Sequence, residues 1–194
     1  MVLYDNLSAS IDLNGRMQTN EQFIYLMQQT SATPTDSFNS ITIKLKKSGE
    51  PNVDIKGVVM SGDVVDPNTS DSMTIDACST NTITSSEIDD DYDDYTFNFA
   101  SNHSLEEGKQ FGLGFTVNSS SDNDNEIHVG LHHAVVTDYQ IGRASGSVMS
   151  CSGSRTIAYT HPSGYSMVAK LTGSGPSPTS GTRLPPPPII LGGL

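Results

Sequence analysis

The sequence predicts an all-β fold: an antiparallel β-sandwich of jelly-roll type with an extended, proline-rich C-terminal arm. Three observations lead there. Apolar residues recur at a period of two in several short runs. Clusters of Gly, Pro, Asn, Asp and Ser separate those runs at short intervals. No segment shows the three-to-four spacing of an amphipathic helix.

Taken in order, residues 1–20 mix short apolar and polar pieces and suit one edge strand. Phe23-Ile24-Tyr25-Leu26-Met27 is a continuous apolar run, as a strand covered on both faces would read. Pro34 breaks the loop that follows. From Ser37 the pattern is clean. Ile41, Ile43 and Leu45 fall on one face, and Thr42, Lys44 and Lys46 on the other. Gly49 and Pro51 punctuate a short connection to a second β-rich run, Val53 to Met60, and the simplest arrangement of the two is a hairpin. Residues 61–72 are turn-rich, and Met73-Thr74-Ile75 is a short strand. An acidic run, Glu87 to Asp94, follows Ile83 and has Ile88 near its start. In Tyr95-Thr96-Phe97-Asn98-Phe99 three aromatics share a side. His103 to Gly108 is a compact connection. Gln110 to Val117 sets Phe111, Leu113, Phe115 and Val117 against Gly112 and Gly114. After a polar loop at 118–125, Ile127, Val129, Leu131, His133 and Val135 share a face. Thr156–Tyr159 and Tyr165–Leu171 complete eight or nine strands.

The composition changes at Thr172. Residues 1–172 read as the sandwich domain, and 173–194 as an arm. Its Gly/Ser/Pro linker precedes a stiff, extended polyproline stretch, Pro185 to Pro188, and an apolar cluster, Ile189-Ile190-Leu191. A soluble monomer gains nothing from such a tail. Leu184, Pro185, Pro186, Pro187, Pro188, Ile189, Ile190 and Leu191 are therefore expected to contact a neighbouring subunit.

The chain has 194 residues and a formal net charge of -12. That charge opposes binding to nucleic acid or to an anionic membrane surface. No apolar run approaches the ~20 residues of a membrane span. Met1-Val2-Leu3-Tyr4-Asp5 has neither the basic region nor the apolar stretch of a signal peptide. The expectation is a chain made in a cytoplasm, then kept there or released by lysis. Four Asn-x-Ser/Thr triplets, beginning at Asn6, Asn68, Asn102 and Asn118, carry little weight in that context. Cys78 and Cys151 are too few for a disulfide framework. They read as free or partly buried thiols, with a single bridge left open.

Several of these pieces come in a fixed order: Gln22-Phe23, Phe38 to Leu45, Lys47-Ser48-Gly49-Glu50-Pro51, Tyr95 to Phe99, and Leu105 to Leu113. The order resembles the galactose-binding-like jelly-roll modules that recur in structural proteins of phages and archaeal viruses and in microbial surface proteins. The resemblance spans about residues 20–171. It implies either a sugar binder or a purely structural module, and none of that family's sugar-binding residues maps onto this chain.

Candidate sites are few. Asp89, Asp91 and Asp93, within the acidic run, are candidate ligands for a structural calcium, a hard cation that prefers several oxygens, although the EF-hand spacing is absent. No other cofactor is expected. Tyr92 and Tyr139 are candidate sugar-stacking aromatics. His128 and His132 share a strand face but sit about 13 Å apart at ~3.3 Å per residue, too far for one metal ion, and both read as surface or tolerated histidines. Gly112-Leu113-Gly114 lies mid-strand and is no phosphate loop, and no nucleophile elbow occurs. The expectation is a non-enzymatic structural subunit of a viral particle: a capsid-associated, decoration, tail or fibre protein, made in the host cytoplasm and located in the virion. Its expected partners are further copies of itself and other structural proteins of the particle. The alternatives are a carbohydrate-binding module for host or glycan attachment, and a secreted adhesin or filament subunit at the cell surface.

Overall fold

A computed structural model describes residues 2–17, 21–28, 37–62, 71–104, 110–117, 125–133, 139–145, 151–159 and 165–173. The loop expected at 30–36, most of the one at 118–125, and the whole arm beyond Gly173, Leu184–Leu191 included, lie outside the described residues. Within them the chain forms β1 (Val2–Asp5), β2 (Leu13–Met17), β3 (Glu21–Gln28), β4 (Ser37–Ser48), β5 (Asp54–Gly62), β6 (Asp71–Cys78) and β7 (Ile83–Thr84). After a single 3-10 turn (Ser85–Glu87) come β8 (Asp93–Ser104), β9 (Gln110–Val117), β10 (Glu126–His133), β11 (Tyr139–Ser145), β12 (Ser154–Tyr159), β13 (Tyr165–Met167) and β14 (Ala169–Thr172). No helix among them is long and apolar enough to cross a membrane.

The strands form two antiparallel sheets. The first contains β1, β14, β4, β10, β13, β2 and β8; the second contains β6, β12, β11, β3, β9, β5 and β7. The all-β expectation therefore holds. The hairpin expected over Ser37–Met60 does not, because β4 lies in the first sheet and β5 in the second. The alternation on β4 was real, but Pro51 and Val53 are buried. Residues 49–53 are thus a crossover that dives between the layers, with Gly49 at φ 72° supplying the turn.

One core joins the sheets. Ile41, Ile43 and Leu45 of β4, Phe97 and Phe99 of β8, and Ile127, Val129 and Leu131 of β10 pack against Ile55 and Val59 of β5, with Val53, Ile83 and Ile88 sealing the rim. The layers touch at Gly57, where an added Cβ would stand 2.9 Å from the Phe97 Cβ. An irregularity between Phe38 and Ser40 in the β4–β8 register shifts the side-chain parity of β4. Phe38 thereby joins the same core, only 1% exposed.

The first sheet is forked. On one edge β4 pairs with β8. On the other it pairs first with β14 (Ser40–Ile43) and then with β10 (Leu45–Ser48). Val168 sits at the fork, its carbonyl accepting from Lys44 N and its N–H donating to the Gly130 carbonyl. The Asn6 side chain closes it, donating to the Met167 carbonyl at 3.2 Å and accepting from Ala169 N at 2.7 Å. The glycosylation triplet at Asn6 is thus committed to structure.

The second sheet closes on itself. β6 pairs with β12 through Asp71–Thr74 and with β5 through Thr74–Cys78, so six strands form a closed circuit. β5 is accordingly buried on both faces: Ile55 and Val59 toward the first sheet, Val58 and Met60 on the other side. Cys78, the last residue of β6, is bridged to Cys151, just before β12. The cysteines, read from the sequence as free or partly buried thiols with a single bridge left open, form a disulfide at the seam of the circuit, 73 positions apart in the chain. Chain-entropy arguments give such a loop about 4 kcal/mol of stabilisation. Replacing both cysteines by Ser is expected to lower the unfolding free energy by about that amount in urea titrations. An unchanged midpoint would show that the seam holds without it.

Candidate functional site

Chemically varied side chains gather on the outer face of the first sheet, around the acidic run. The run starts from a braced corner. The Ser85 hydroxyl donates to the Pro51 carbonyl and accepts from Val53 N, while Ser85 N donates to the Val53 carbonyl. The Glu87 carboxylate accepts from Thr84 N at 2.7 Å and from the Thr84 hydroxyl at 2.8 Å, and these bonds hold its pKa below the usual range. Ile88 is buried in the core. The segment then lies along β4. Lys47 N donates to the Asp89 carbonyl at 2.9 Å, and Asp89 N donates to the Tyr95 hydroxyl at 2.8 Å. Lys44 Nζ meets Asp94 Oδ1 at 2.6 Å. The alternation that turned Ile41, Ile43 and Leu45 inward turned the lysines outward, where they offset part of the acidic run.

Tyr92 arches over this face. Its ring lies under the Lys46 ammonium, 5.0 Å from the centroid, a cation–π distance. Its hydroxyl donates to Asn14 Oδ1 on β2 at 2.9 Å. Burial pushes the Tyr92 phenol up to about 12. Asn14, Lys46, Lys47, Ser48, Gly49, Glu50, Asp90 and His128 line a depression beside it, and Asp89–Asp93 line another, contiguous through Asp90. Asp89, Asp91 and Asp93 are exposed, and the Asp93 carboxylate accepts from Asp94 N. Among the described residues no three His, Cys, Asp or Glu side chains converge in a way that could hold a metal ion. Tyr139 opens β11 in the second sheet, opposite Met27, so the structure does not place both candidate tyrosines on one sheet.

Of the two alternatives read for His128, surface or tolerated, the structure excludes the first. It is 7% exposed, with Nε2 3.4 Å from Oε2 of the buried Glu126. Both lie on the face of β10 opposite the core. Ile11 covers that face at Gly130, where an added Cβ would stand 3.1 Å from its Cδ1. The readable signal was the spacing Glu126-x-His128, which puts an acid and a base side by side on one strand face. His132, further along, is half-exposed. Its Nδ1 lies 2.9 Å from Asp12 Oδ2 and 3.0 Å from the Ser10 carbonyl. Asp12 Oδ2 also accepts from His133 N at 2.8 Å, and that bond, the strongest influence on its carboxyl, holds its pKa down. Ser10, Asp12 and His132 resemble a catalytic triad by type but not by geometry. The Ser10 hydroxyl approaches the same Nδ1 that meets Asp12, at 3.4 Å, whereas a nucleophile must face the opposite nitrogen. The cluster instead pins residues 6–12 across the end of β10.

Tyr92→Phe removes the bond to Asn14 and leaves the ring in place. The expected loss is about 1 kcal/mol in urea unfolding, with Tyr92→Ala costing more because Lys46 also loses the ring it rests on. No family model matches this chain, and no curated protein or solved structure matches it either.

Proposed function

We propose that this protein is a non-enzymatic structural subunit of a multi-copy particle, a virion above all, fastened to its neighbours by residues 173–194. One observation carries the reading. The arm does not hang from a frayed edge. Its root, β14, lies within the first sheet, paired with β1 on one side and β4 on the other. Gly173 is buried, and a Cβ there would collide with the Ser37 carbonyl. A tether rooted between two hydrogen-bonded neighbours transmits load into the whole sheet. The arm's Ile189-Ile190-Leu191 cluster supplies apolar area for a partner, worth about 1.5–3 kcal/mol per side chain before ordering costs. Repetition in a shell or ring makes such contacts additive.

The disulfide supports a working life in an oxidising setting, such as a particle surface outside the cell. The finer wiring we propose is a jelly roll. It is supported by the repeated passage of the chain between sheets, at β4 to β5, β7 to β8, β8 to β9 and β9 to β10. Deleting residues 174–194 is expected to leave a body with wild-type melting behaviour and to reduce the assembly to monomers in sedimentation velocity. Assembly that survives the deletion removes this reading.

A second reading, glycan attachment, is favoured by the depression lined by Asn14, Lys46, Glu50 and Asp90, two of whose lining residues, Asn14 and Lys46, also touch the Tyr92 side chain. Sugars need that mixture of donors and acceptors. Glycan-array binding that falls at least tenfold in Tyr92→Ala would support it, and a blank array would end it.

A further inference from the structure

The end of the body where the arm begins carries an unusual histidine. His103, near the end of β8, is paired in register with Phe38 of β4. Its ring stands 5.8 Å from Phe38 and 5.5 Å, edge-on, from Phe99, and those two rings meet edge-to-face at 6.2 Å. Phe38 and Phe99 are 1% and 5% exposed. The imidazole Nε2 is buried and has no hydrogen-bond partner. A neutral ring tolerates such a seat, since one unbonded nitrogen among aromatics costs little more than its desolvation. An imidazolium does not, because its second N–H and its charge both need water or an acceptor.

The seat is coupled to the arm through the backbone. Ser37 and Phe38 are also the residues on which Gly173 rests: its Cβ position falls against the Ser37 carbonyl and 3.5 Å from the Phe38 Cα. The ladder between β4 and β8 is interrupted here, passing from Ser40↔Asn98 directly to Phe38↔His103. The terminal pairs, Phe38↔His103 and Ser37↔Ser104, are therefore separated from the main run of hydrogen bonds and able to open alone.

We propose that His103 is a proton-operated latch on the root of the C-terminal arm. Neutral, it sits between Phe38 and Phe99 and keeps Ser37–Phe38 seated under Gly173. Protonated, it leaves that seat and loosens the contact at Gly173. Among the described residues, Phe38 and Phe99 bring no charge to the ring, and Asp76 of β6 is the ionised group that acts on it. Asp76 favours the imidazolium, but less strongly than burial opposes it, and the balance lowers the His103 pKa. The sign follows. A histidine depressed in the folded state contributes its full stability above the unfolded value of about 6.5. That contribution is lost as pH falls from there through the folded value.

This inference deepens the arm-fastening reading and rests on it for its consequence, acid-triggered release of neighbours. It is tested separately from it. In the full-length protein, the His103 ring protons and the Gly173 amide are followed by NMR across the acid range. The expected result is a common midpoint below about 6.5, with the Gly173 movement abolished in His103→Phe, which keeps the aromatic packing and removes the titration. A His103 midpoint at or above the ordinary value overturns the latch. So does a Gly173 amide that ignores His103, or one that still titrates in His103→Phe. If arm deletion leaves assembly intact while Gly173 follows His103, the fastening role falls and the coupling stands.

Discussion

The constraint on which the rest of the structure depends is the complete pairing of β4. A buried strand must satisfy its backbone groups on both edges, and β4 does so with three partners: β8 on one side, β14 and then β10 on the other. Its inward face supplies Ile41, Ile43 and Leu45, each at most 1% exposed. Each partner then sets one functional region. β14 roots the arm, β10 carries the buried Glu126–His128 pair, and β8 brings both the acidic run and His103. No substitution that disturbs β4 can be confined to one of these.

Local strand character was largely legible in the sequence, and connectivity was not. Period-two runs at 41–45, 95–99, 110–117 and 127–131 became strands because alternation is a local consequence of the pleat. Whether two such runs pair depends on burial of the link between them. Gly49 and Pro51 are equally at home in a hairpin turn and in a crossover, and it is the burial of Pro51 and Val53 in the core that decides. β11 escaped notice for a different reason. Tyr139-Gln140-Ile141-Gly142-Arg143-Ala144-Ser145 has little β propensity of its own and is held by neighbours on both sides, β3 and β12. β13 and β14 read as one strand, because the break at Val168 comes from the fork in the sheet and not from any turn residue.

The site was less legible than the fold. The acidic run stood out, but its placement depends on lysines that the sequence presents merely as the polar half of an amphipathic strand. Tyr92 was visible as an aromatic among carboxylates. Its partners Asn14 and Lys46 lie far from it in the chain, and nothing local announces them. The disulfide was hidden by a similar separation: two cysteines 73 positions apart become neighbours only when β6 closes the second sheet. Glu126 and His128 were readable as a pair but not as buried, since the strands that flank them, β4 at Lys46–Ser48 and β2 at Arg16, are far from them in the chain.

The two sheets solve the problem of exposed edges differently, and this separates the rigid part of the molecule from its adaptable part. The second sheet removes its edges by closing on itself and adds a covalent bond across the seam. The first stays open and shields its edges piecemeal. At the outer edge of β8, Thr80 N donates to the Asn98 carbonyl, the Asn81 side chain donates to the Thr96 carbonyl, and its oxygen accepts from Asn98 N. These contacts occupy groups that would otherwise template another chain. That cover reaches Asn98, where the regular pairing of β8 with β4 also ends. Beyond it lie His103 and the ground on which Gly173 rests. Local opening concentrates where the fewest hydrogen bonds must break. Among the described residues the ladder between β4 and β8 is broken beyond Asn98, beside Gly173, so local opening is favoured at that end of the open sheet, with the closed, cross-linked sheet behind it as the fixed body.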